Sequence, residues 1–319
     1  MISALTTLQQ WLLFTGTVLV VGCVAWRVRV VPGALSALPV AGSSGVAGAE
    51  RRVASLGFAA TGVLAVAWIL RMVVQVMGFR DPFVPLWDDV SFLLFEIFWG
   101  TVWMGQGVVI ALLAGALWRA GRGERGGAAS GREASGGDHA SGISVAWLSA
   151  ALFVIALAGT LALSGHAMGV ESGRALAVTA DAVHTLAAGV WIGSLAVILT
   201  VGRESAAEDS TFFAAQIRSF SPMALVSGGA LVAMGVLLAW KHLHAVSDLW
   251  SLQYGRILSA KLALVLLIFG LGFWNWRRGL PAADTPDGAA AVRRRAAWEV
   301  SLAVGVILLT AVLVHSPKP

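Results

Sequence analysis

Apolar runs long enough to cross a bilayer recur along the chain, separated by short polar stretches that carry most of its charge. About 20 consecutive apolar residues are needed to cross the hydrocarbon core. Eight runs meet that length approximately: Leu5–Val31, Val53–Met77, Val90–Trp118, Ile143–Ser164, Ala175–Val201, Met223–Trp240, Ile257–Trp276 and Ala296–Val314. Lipid offers no hydrogen-bond partner, so a spanning segment of this length must satisfy its backbone internally as a helix. The pattern predicts an all-α, polytopic membrane helix bundle of about eight transmembrane helices, with both termini on one side.

The polar stretches divide this bundle. Gly121–Gly142 is rich in Gly, Ser and charge and has too little apolar content to fold, so it reads as a flexible connector. It separates a three-helix front part, residues 1–120, from a five-helix back part, residues 143–319. Gly202–Ser221 sets Glu204, Glu208 and Asp209 before Phe212 and Phe213, as an interfacial helix would.

Composition narrows the class further. Of 319 residues 58% are hydrophobic and 12% charged, and the mean hydropathy of +0.81 excludes an ordinary water-soluble globule. A net charge of +5 would suggest nucleic acid in a soluble domain. Here the basic residues lie in loops, where they set orientation instead. Fifteen arginines, among them Arg27, Arg51, Arg119, Arg203, Arg277 and Arg293–Arg295, follow the odd-numbered runs, against five basic residues on the other side: Arg80, Arg174, Lys241, Arg256 and Lys318. The positive-inside rule then makes the arginine-rich side cytoplasmic and has both termini face outward. The lone Cys23 excludes an intrachain disulfide and a cysteine zinc site.

Candidate chemistry gathers on the outward side. Asp181 and His184 stand three apart on the fifth run and share a face. An ionisable pair in an apolar span marks a functional site by default. An Asp that accepts from one ring nitrogen leaves the other free as a ligand, which makes His184 a metal ligand and Asp181 its orienter. His166, Met168, His242 and His244 lie in or beside outward loops and complete the candidate ligand set. Imidazole with thioether suits copper, Cu(I) or Cu(II). A b-type haem held by His184 and a second histidine is the competing reading, and would make the protein a redox carrier or enzyme. Arg71 is expected to pair with Glu96, Lys261 with Asp181, and Glu299 with Arg277 or Arg278. Trp191 reads as an aromatic anchor of a helix contact.

The motifs resemble those of the copper resistance D family of bacterial inner-membrane proteins. They are SGHA at Ser164–Ala167, D-x-x-H-x-x-A-x-x-x-W-x-G-x-L from Asp181 to Leu195, R-x-F-S from Arg218, Tyr254-Gly255 followed by Lys261, Glu299, and the closing TAVLVHSPKP. The resemblance covers roughly Ile143 to Pro319. It implies a non-enzymatic copper protein that takes copper from the periplasmic side and transports it or hands it over, with a copper resistance C-type carrier as partner. A docking platform for such a carrier, without transport, is a further alternative. No Walker-type glycine loop for an ATP-driven pump is present in the chain.

Overall fold

The computed structural model describes residues 2–38, 46–129, 143–169, 172–205, 210–242, 245 and 247–316. Among them are eight helices long and apolar enough to cross a membrane: α1 (Ala4–Leu35), α2 (Val46–Phe79), α3 (Phe98–Arg122), α4 (Val145–Leu163), α5 (Arg174–Val201), α6 (Thr211–Trp240), α7 (Gln253–Ala282) and α8 (Pro286–Leu313). Each is apolar on most sides, so large side chains such as Leu152, Val226 and Leu266 remain on the outer surface, where lipid covers them. The described residues contain no strand.

The first helix is the centre of the bundle. It packs against α2, α4, α5 and α8, and Val20, Val21, Cys23, Val24 and Trp26 are buried along it. Its crossing with α5 brings backbone against backbone, because a Cβ on Gly22 would lie 2.1 Å from the carbonyl carbon of Gly193. On the α5 side the contact falls in a π-helical turn, Gly189–Gly193. Small residues allow such an approach between membrane helices. The buried Trp26 donates from Nε1 to Gln216 Oε1 at 2.8 Å and ties α1 to α6. A second tie joins α2 to α3. Trp68 and Trp103 stack with centroids 4.0 Å apart, and each indole N–H donates to the other's backbone carbonyl, at 2.8 and 3.0 Å.

Helices continue beyond the hydrocarbon at the arginine-rich end, so α2, α6, α7 and α8 are all longer there than their apolar runs. Propagating a helix already nucleated costs little per residue, and polar pairs satisfy the extensions. Arg27 Nε meets Glu50 at 2.7 Å, with both side chains buried, and Arg218 pairs with Asp284. Glu299 accepts from Asn275 Nδ2 at 2.6 Å, and Arg295 donates to Asn275 Oδ1 at 3.2 Å. The partner of Glu299 is therefore Asn275 rather than Arg277 or Arg278.

Three local expectations are corrected. The third run does not begin its span at Val90. Leu86–Ser91 forms a short separate helix, the chain passes through an extended residue at Ile97, and α3 starts at Phe98. Residues 211–221 are no interfacial helix but the continuous start of α6, with Phe212 and Phe213 buried in the core. The guanidinium of Arg293 covers Phe213 at 4.7 Å. The connector opens as helix, since the helix from Phe98 runs to Ala129; residues 130–142, like Glu208 and Asp209, lie outside the described residues.

Candidate functional site

A cavity of about 990 Å³ opens at the end of the bundle opposite the arginine-rich end. Residues of α1, α2, α5, α6, α7 and α8 line it, with the start of α3 and the end of α4. Asp181 and His184 both face it from α5, as their spacing of three requires. Lys261 of α7 and Arg71 of α2 bring cations into the same space.

His184 is held by a contact that the sequence did not announce. Its Nδ1 lies 3.1 Å from the backbone carbonyl of Leu231 on α6. A carbonyl oxygen only accepts, so Nδ1 carries the proton and Nε2 keeps its lone pair. Gly235, one turn along α6, lies against the ring, for a Cβ there would stand 3.4 Å from His184 Cε1, in van der Waals contact. The orienting role expected of Asp181 thus falls to Leu231. The Asp181 carboxylate turns toward the end of α4, with Oδ2 3.6 Å from where a Cβ on Gly165 would stand.

The expected ion pairs resolve differently. Glu96 is exposed at the end of the π-helical turn before α3, so Arg71 finds other partners. Its guanidinium donates to Ser164 Oγ at 2.9 Å, to the Ser164 carbonyl at 2.7 Å and to Gln106 Oε1 at 3.3 Å. It lies 5.6 Å over the Trp99 ring. Asp181 and Lys261 both line the cavity, without a direct ion pair within 4.0 Å.

The other candidate ligands are placed less completely. The turn His166–Gly169 lies at the cavity's edge, where Gly165 and Ala167 line the wall. Met168 is half-buried in that turn. The side chains of His166 and His242, and the whole of His244, lie outside the described residues. His315 joins the lining from the end of α8, and partial burial holds its imidazole pKa below the ordinary 6.5. Among the described residues no three His, Cys, Asp or Glu side chains converge as a ready metal cluster. Trp191 packs as expected: it is buried, with its ring 4.7 Å from that of Phe269.

Comparison with known proteins places this geometry in a family context. Residues 214–313 match the family model Copper resistance protein D. That segment holds most of α6, all of α7 and α8, and with them Leu231, Gly235 and Lys261; Asp181 and His184 precede it. The chain is also similar to Copper transport protein CutJ of Bacillus subtilis (strain 168), at 25% identity over 275 residues. The match takes in 84% of this chain and 46% of that protein, so the chain spans about half the length of this relative. No solved structure matches. The chain is thus a multi-pass helical membrane protein whose last three spans are similar to Copper resistance protein D.

Proposed function

We propose that this protein binds copper in the outward-facing cavity and passes it inward or to a membrane acceptor, in a bacterial inner membrane with both termini periplasmic. The observation that carries the reading is His184, whose Nδ1 is committed to the Leu231 carbonyl so that Nε2 stays available on the cavity wall beside Asp181. Copper resistance protein D similarity in the same bundle, and likeness to a protein named for copper transport, support copper as the cargo.

His184 and Asp181 supply the fixed part of the site in this reading. His166, Met168, His242 and His244, with His315, supply ligands at the mouth, where soft and imidazole donors accept Cu(I) or Cu(II). Lys261 compensates the Asp181 carboxylate while no metal is present, and copper takes its place. A periplasmic copper resistance C-type carrier is the proposed source. Non-enzymatic handover is the proposed role, in keeping with the likeness to a protein named for copper transport. Haem is the weaker alternative, because His184 is the one histidine within the eight spans.

Copper stoichiometry of the detergent-purified protein tests the assignment. The wild type is expected to retain copper, and His184→Ala to lose most of it while eluting as folded protein. Unchanged copper in the variant would sink the role of His184, and a Soret band with bound iron in the wild type would replace copper by haem.

A further inference from the structure

The cavity brings unlike groups together: Asp181 and His184 line it from α5, and Arg71 of α2, Gln9 of α1 and Trp99 of α3 line it as well. The acceptors of Arg71 are all neutral, namely the hydroxyl and carbonyl of Ser164 and the amide oxygen of Gln106. Ser164 is the residue that caps α4, so the helix dipole offers about half a charge of compensation. Two buried amide donors find no acceptor among the described residues. Gln9 lines the cavity, is 2% exposed and has an unpartnered Nε2, and the Nε2 of the fully buried Gln106 is likewise unpartnered.

Charge points the same way. Among the described residues, the titratable side chains lining the cavity are Arg71, Asp181, His184, Tyr254, Lys261 and His315. Arg71 and Lys261 are bases and Asp181 is an acid, so with both bases protonated, the acid ionised and the histidines neutral the lining holds one positive charge in excess. Charge inside a bundle is costly unless paired. A cavity that accepts a further metal cation raises that excess.

We propose that Arg71 and Gln9 form an anion subsite, which takes a monoanion, chloride or a carboxylate, within the cavity that His184 also lines. Arg71 binds it by charge and by the guanidinium N–H groups left over from Ser164 and Gln106, and Gln9 adds an amide donor. The anion brings the lining to neutrality before metal enters. It then stays as the counter-charge of the bound ion. This subsite is defined without metal, so it stands or falls apart from the copper reading.

The test is calorimetric titration of the metal-free, detergent-purified protein with sodium chloride and, separately, sodium acetate, in buffer free of both. Saturable binding of at least one is expected, weakened tenfold or more in Arg71→Gln and unchanged in Arg256→Gln, which removes the same charge from an exposed position outside the cavity. Should Arg71→Gln fail to fold, Gln9→Leu is expected to weaken binding severalfold and Arg71→Lys to retain part of it. Binding of both anions identifies a small-anion site open to halide, and binding of acetate alone a carboxylate site. Linear heats with both anions, or wild-type affinity in Arg71→Gln, overturn the proposal and leave Arg71 as a pin between α2 and α4.

Discussion

His184 owes its competence as a ligand to one residue's backbone. The carbonyl of Leu231 fixes its tautomer at 3.1 Å, and Gly235 lies so close that a Cβ would already touch the ring and a branched side chain would press on it. Gly235→Val should therefore push the imidazole from Leu231 and weaken copper binding about tenfold, in a protein that still folds; chelator competition reads this, and unchanged affinity would dissociate the tautomer from binding. His315 offers a pH test. Partial burial lowers its pKa from 6.5, so its neutral form is favoured in the fold. That contribution is present above pH 6.5 and is lost as pH falls through the lower folded value. Thermal stability should fall on acidification below about pH 6.5, less steeply in His315→Gln, and identical pH profiles would contradict the assignment.

At the scale of elements, the crossing of α1 and α5 decides whether a cavity exists. Gly22 meets Gly193 with no room for a side chain, and α5 is locally π-helical there. Overpacking an ordinary core costs about 1–3 kcal/mol. Here the obstacle is backbone, which cannot rotate away, so Gly193→Leu should cost more than that. The expected result is loss of the folded peak in size-exclusion chromatography, whereas Gly62→Leu on α2, a position with open space around it, should keep it. Equal behaviour of the two variants would show that the crossing tolerates separation. In the sequence Gly193 is visible only as a small residue within an apolar run. Nothing in a periodicity distinguishes a glycine under a helix crossing from one facing lipid.

At the scale of the whole molecule, charge is divided between the two ends. Arg27, Arg218 and Arg295 join polar networks at one end, while the cavity with His184 opens at the other. If the arginine-rich end is cytoplasmic, as the positive-inside rule expects, alkaline phosphatase fused to either terminus should be active and a fluorescent-protein fusion dark. The reverse pattern would invert the bundle and turn the cavity inward.

Eight spans, their order and the face shared by Asp181 and His184 were legible along the chain, because hydrocarbon thickness imposes a length and helix geometry imposes a spacing. These are local demands, satisfied by consecutive residues. The ends of the helices were less legible, since a helix extends past the apolar run wherever a polar pair such as Glu299 with Asn275 completes it. Partner choice was not legible at all. Arg71 met Ser164 and Gln106 rather than Glu96, and His184 met a carbonyl rather than Asp181. Those partners lie tens of residues away, and a backbone carbonyl has no letter in the sequence. The chain by itself determined that there would be a bundle with ionisable groups in one half; only tertiary packing decided which of them share a cavity, because that depends on how closely α1 and α5 approach and on which side chains the approach leaves room for.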